Sequence, residues 1–290
     1  MKKSIGGRIG WFFASVGMGL LSLAMQLGCG FLLMFIISFL AGVQYGGSGM
    51  TMEQIARIAQ ERYLDNAIFG VALYHVVGIL VFGLWYYFAY GKKKRPADAE
   101  KPGVTGILTV GIVGVLLQIF TSGVLTILMA LFPGAFESYN ELMETAGFTE
   151  TTFLMIFVTV VMAPIGEELL CRGLSLRFAK KVSGKFWIAN CIQALAFALI
   201  HGNLVQGAYA FFLGLALGYV YQKYRNIWIC MFLHGVINLS SVFVGAVMEM
   251  ICKGKLMAVG IVCVVAAVLL ALCFKILGGI KMLESEETNF

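Results

Sequence analysis

Charge is scarce in this chain. Asp, Glu, Lys and Arg make up only 12% of its 290 residues, about half the share of an ordinary soluble domain. With 60% hydrophobic residues and a mean hydropathy of +0.90, there is almost no room for a water-soluble domain. Proline is equally rare, at 4 residues, so little forces the helices to break. The seven cysteines (Cys29, Cys171, Cys191, Cys230, Cys252, Cys263, Cys273) are scattered and odd in number, with no CxxC or Cys/His metal spacing. They read as small buried apolar residues. No internal repeat or low-complexity segment is evident, which counts against an inverted-repeat transporter. No cleavable signal peptide is expected, because the first apolar run, Ile9 to Val43, is too long. What is abundant is glycine, 35 residues, which suits closely packed transmembrane helices.

A spanning helix needs about 20 apolar residues. Eight such stretches can be read, at roughly 9–43, 67–90, 104–132, 151–171, 186–202, 204–222, 227–248 and 256–275. The expected fold is therefore all-α, a polytopic membrane protein with about eight transmembrane helices and a polar site inside the membrane. The expected organisation has N-terminal helices and interfacial loops at 1–150, a catalytic helical core at 151–248, and a last helix with a tail at 249–290. Net charge is +6 and lies in the loops. It reads as topology and contact with anionic lipid, with no nucleic acid as partner. With eight spans, Lys2, Lys3, Arg8, Lys92 to Arg95, Arg177, Lys180, Lys181, Lys185, Lys223, Arg225, Lys275 and Lys281 all fall on one side. The positive-inside rule makes that side cytoplasmic, with both termini there, as in a bacterial plasma membrane. Lys253 and Lys255 are the exceptions. The opposite loop, 137–150, carries Glu137, Glu141, Glu144 and Glu150 without a cation. Two amphipathic stretches, 52–63 and 136–146, read as interfacial helices.

Polar residues inside apolar helices are expensive unless paired or facing a cavity, so they are functional candidates. In the fourth span Glu168 and Arg172 are four apart, with the acid N-terminal, which favours a helical ion pair. Glu167 points about 100° away and is left free of that pair. Pro164 and Gly166 loosen the helix just before the acids, which can open a water-lined pocket. If the helices on either side of a basic turn at 173–185 run antiparallel, Glu167 and His201 lie at the same depth. Phe197, one helical turn before His201, can hold its imidazole. His234 and Asn238 also share a helix face, and supply the donors an oxyanion needs. His75 stands alone in the second span and reads as structural. One point does not close: His201 falls near the outer end of its span, and His234 near the cytoplasmic end of its own. They share a site only if the fifth helix starts outside the bilayer or stops within it.

Glu-Glu-x-x-x-Arg, Phe-x-x-x-His and His-x-x-x-Asn, in that order over residues 150–245, resemble the CPBP family, which includes type II CAAX prenyl proteases and bacteriocin-immunity (Abi) proteins. The resemblance implies an intramembrane glutamic endopeptidase acting on membrane-associated peptides, prenylated or not, without a cofactor. It implies that Glu167 is the base that activates water and that His201 assists it. His234 and Asn238 would hold the oxyanion, Glu168 and Arg172 would position the site, and Phe197 would help position substrate. Two alternatives stand beside this reading. One is a zinc protease with Glu167, His201 and His234 as ligands, although no HExxH helix is present. The other is a non-catalytic immunity or scaffold protein. The partners expected are a peptide or protein substrate in the membrane and the lipid bilayer itself.

Overall fold

The computed structural model describes residues 5–91, 101–145 and 151–279. The basic run Lys92 to Arg95, and Lys2, Lys3, Glu150 and Lys281, lie outside the described residues. Among those described there is helix and no strand. The helices are α1 (Ile5–Tyr45), α2 (Met52–Asp65), α3 (Ala67–Gly91), α4 (Val104–Leu131), α5 (Glu137–Thr145), α6 (Phe153–Ser183), α7 (Phe186–Leu199), α8 (Leu204–Tyr224), α9 (Ile227–Cys252) and α10 (Leu256–Gly278). Among the described residues, seven of them are long and apolar enough to cross a membrane. The chain is thus a polytopic all-α membrane protein. The amphipathic stretches form α2, which is closed by a Thr51/Gln54 capping box, and α5.

Two expected spans differ. α7 has only 14 residues, about 21 Å of rise, which is too short to cross the hydrocarbon by itself. α6 does not end at residue 171. It runs for 31 residues to Ser183, about 46 Å of rise, and turns only at Gly184, where φ is +72°. Hydropathy reports where lipid ends, whereas a helix continues as long as its backbone bonds do. The last turns of α6 bury Leu176 and Ala179 and carry Arg177, Lys180 and Lys181. With the basic last turns of α6 set past the hydrocarbon, as their charge and the helix's length require, a 14-residue α7 would start outside it and end partway across, which would remove the conflict over the depth of His201. α7 ends because Gly202 takes a left-handed φ of +67°, and α8 begins because Asn203 Oδ1 accepts Gln206 N–H at 2.7 Å.

The basic residues gather at one end of the molecule. Lys181 Nζ lies 4.0 Å from the Trp11 ring centre on α1. Arg177 lies 4.3 Å from the Tyr90 ring on α3 and donates to Tyr221 Oη on α8 at 3.3 Å. Lys223 Nζ donates to the Gly278 carbonyl of α10 at 3.3 Å. The start of α1 and the ends of α3, α6, α8 and α10 therefore share one face.

α6 is the central helix and packs on α1, α3, α7 and α9. Ser15 on α1 and Ser175 on α6 each bond the other's carbonyl, at 2.9 and 3.0 Å. One hydrophobic core runs from Met18 to Leu277, so the N-terminal helices share it with α6–α9. Five of the seven cysteines are buried, as expected; Cys191 is exposed and Cys273 half-buried.

α7 meets α8 across a Gly-x-x-x-Gly pair, Gly214 and Gly218, the small-residue spacing that lets helices approach closely. A Cβ on Gly218 would overlap Asn190 Oδ1. Gly218→Ala should therefore cost about 1–3 kcal/mol of stability, measured as thermal unfolding in detergent. Adding Asn190→Ala should restore part of the loss. Wild-type stability of Gly218→Ala alone would rule out this close approach.

Candidate active site

The acids sit on a helix whose backbone is locally rewired. Over Val158–Met162, α6 widens to π register, so the N–H of Ala163 donates to Val158 O and not to Thr159 O. The next residue that could reach Thr159 O in that register is Pro164, which has no N–H. Thr159 O is thereby released, and Asn238 Nδ2 on α9 donates to it at 2.8 Å. Buried carbonyls at membrane depth require such a partner. Gly235 lies over the neighbouring carbonyl: a Cβ there would come within 3.1 Å of Val160 O. α9 therefore docks onto the carbonyls that Pro164 leaves open. A second π segment, Leu169–Ser175, follows the acids.

Glu168 is locked in place. Its Oε1 accepts Arg172 Nη1 at 2.7 Å, with both side chains fully buried. The same oxygen accepts His234 Nδ1 at 2.9 Å. Arg172 also donates Nη2 to Gly214 O on α8 at 3.0 Å, and its guanidinium lies 4.9 Å from the Phe197 ring centre. Gln193 Nε2 reaches the same Gly214 carbonyl at 2.9 Å. Four helices thus converge on the Glu168–Arg172 pair.

Glu167 is held differently. It is 12% exposed, and its partner is His234, with Nε2 3.7 Å from Glu167 Oε2. That is too long for a direct hydrogen bond. Phe197 packs against both imidazoles, edge-on to His201 at 5.2 Å and to His234 at 5.6 Å between ring centres. With 2% of its surface exposed, Phe197 packs the imidazoles and the guanidinium. His201 Nδ1 bonds Phe197 O at 2.9 Å.

The structure thus brings Glu167, Glu168, Arg172, Phe197, His201 and His234 into one cluster, with Asn238 one helical turn beyond His234. Two relations differ from the expected ones. The imidazole that reaches Glu167 is His234, and His201 packs on Phe197. Asn238 already spends one amide hydrogen on Thr159 O. The backbone acceptors Thr159 O and Gly214 O have no signal in the sequence. His75, expected to be a lone structural residue, packs against Gly166, directly before the acids.

Among the described residues, no three His, Cys, Asp or Glu side chains are grouped so as to hold a metal ion. As placed, Glu167, His201 and His234 are therefore not grouped as a three-ligand zinc site.

No curated protein and no solved structure matches the chain. Residues 149–240 match the family model described as Rce1-like, type II CAAX prenyl endopeptidase. That interval contains all three motifs and every residue of the cluster. Residues 149–240 of this chain are thus similar to the Rce1-like, type II CAAX prenyl endopeptidase family.

Proposed function

We propose that the chain is an intramembrane endopeptidase that cleaves membrane-embedded peptides with a water activated by Glu167. The observation that carries this is the unequal treatment of two adjacent acids. Glu168 Oε1 accepts from both Arg172 and His234, whereas Glu167 Oε2 faces His234 Nε2 at 3.7 Å without a direct hydrogen bond. A buried charge needs a counter-charge, and Arg172 supplies one for Glu168. In the proposed reaction Glu167 acts as the carboxylate and His234 donates from both ring nitrogens.

The chemistry follows from these positions. Glu167 takes a proton from water as its oxygen attacks the peptide carbonyl. The oxyanion is held by His234 Nε2–H and by the second N–H of Asn238 Nδ2, the kind of fixed donors that stabilise such charge. Glu167 passes its proton to the amide nitrogen, the C–N bond breaks, and an acid and an amine leave. His201 donates Nδ1–H to Phe197 O and keeps Nε2 free to support the attacking water. Phe197 holds both rings. No step requires a metal.

Substrates on this reading are apolar peptides that enter from the bilayer, with or without a prenyl group. The basic face is cytoplasmic by the positive-inside rule. α7 still reverses the chain, so eight helical passes leave both ends on that face, in a bacterial plasma membrane.

The direct test is a comparison of membrane peptides from cells carrying the wild-type protein with those carrying Glu167→Ala. New termini confined to the wild type support the reading, and identical peptide sets overturn it. Metal dependence is tested separately. The purified protein should hold no stoichiometric metal and keep its activity in strong chelators; zinc whose occupancy tracks activity would overturn the glutamate mechanism. Asn238→Ala should lower turnover by about 10²–10³-fold, as loss of one oxyanion donor does, with substrate binding little changed.

A further inference from the structure

His75 is the one histidine that the proposed reaction does not use. It sits in the first half of α3, and only 6% of it is exposed. Its neighbour Tyr74 is fixed: the Tyr74 hydroxyl meets Ser22 Oγ on α1 at 2.6 Å, and the Tyr74 and His75 ring centres are 4.7 Å apart. His75 itself has no hydrogen bond to the described protein. Its Nδ1 is the ring atom that faces α6, 3.9 Å from where a Cβ on Gly166 would stand. Gly166 is the residue between Pro164–Ile165 and Glu167.

A buried polar group left without a partner costs about 1–3 kcal/mol. Inside a membrane, such a group marks a place where water or a ligand is held. The ring packs on Tyr74, and because Gly166 has no side chain Nδ1 faces the backbone of α6 directly before the acids.

We propose that His75 holds a buried water against the Pro164–Glu167 turn and through it positions the Glu167 carboxylate. His75 is then a positioning residue and does not touch substrate. The proposal rests on Glu167 being the base. It explains why an imidazole is retained on a helix that otherwise offers Ile79 and Phe82 to the same side of α6.

The test uses the full-length protein in detergent. With histidine labelled by nitrogen-15, three imidazoles are observed, and His75 is identified from its loss in His75→Leu. Its ring nitrogens should report a hydrogen bond, and they should move when Glu167 is changed to Gln. In turnover, His75→Leu should lower kcat roughly 10- to 100-fold, the scale of effect that a small misplacement of a reacting group produces, with KM unchanged. Its thermal midpoint should equal or exceed that of the wild type, because no protein hydrogen bond is lost. His75→Gln should recover part of the loss, because an amide can hold the same water. Resonances that ignore Glu167→Gln, or a His75→Leu protein with wild-type kcat, would overturn the proposal. So would unfolding of both His75 variants, which would make the residue purely structural. If the wild type shows no peptidase activity at all, the peptidase reading fails by itself, and the nitrogen spectra still decide whether His75 and Glu167 are coupled.

Discussion

Glu167→Gln is expected to insert and fold like the wild type and to lose cleavage almost completely. The side chain makes no hydrogen bond that supports the fold; its one close charged neighbour is His234 at 3.7 Å. Glutamine keeps its volume and removes only its capacity to take a proton. Losing a positioned general base typically costs 10²–10⁴-fold, and the loss is larger where the same group also reloads the leaving amine. Glu168→Gln makes the control. Glu168 is fully buried and serves two charged or polar partners through one oxygen, so its replacement should damage stability and activity together. Turnover on an identified membrane peptide, paired with thermal unfolding in detergent, separates the two. Near wild-type turnover of Glu167→Gln would remove the glutamate mechanism.

Arg172→Gln is expected to be the most destabilising change in the site. It leaves Glu168 as a buried carboxylate without its cation, at a cost of roughly 3–5 kcal/mol. It also releases the Gly214 carbonyl from one of two donors and empties the face of the Phe197 ring. Glu168 Oε2 and Arg172 Nε have no partner among the described residues, so nothing in the shell is placed to compensate. The double variant Glu168→Gln with Arg172→Gln should be milder than Arg172→Gln alone. No uncompensated charge then remains, and the amide oxygen that replaces the Glu168 carboxylate can still accept from His234. The comparison is made on thermal midpoints of the three proteins in one detergent. Equal midpoints would show that the pair does not have the buried character described.

The two variants differ because of how α6 divides its acids. Adjacent residues on a helix point about 100° apart. Glu168 is sealed between Arg172 and His234 Nδ1. Glu167 meets only the other ring nitrogen of His234, at 3.7 Å, and 12% of it stays open. A fully sealed ion pair holds helices together, and a partly open carboxylate can meet water.

Much of this was legible in the chain itself. Low charge and high hydropathy determine an all-α membrane protein, because a bilayer forces every backbone bond to be made within a helix. The four-residue spacings Glu168–Arg172, Phe197–His201 and His234–Asn238 determine which side chains share a face, because 3.6 residues make a turn. The order of the motifs pointed to a family before any geometry was known. Tertiary structure decided the rest. Hydropathy could not show that α6 extends past the lipid or that α7 stops short, because apolar length and helix length are different quantities. Nor could it show that His234, not His201, reaches Glu167, because depth along an axis says nothing about the angle at which helices meet. The released Thr159 carbonyl, the Gly214 carbonyl shared by Arg172 and Gln193, and the approach of His75 to Gly166 depend on backbone atoms and on contacts between distant segments. Side-chain spacing along one helix does not encode these; only the packing of α3, α8 and α9 around α6 sets them.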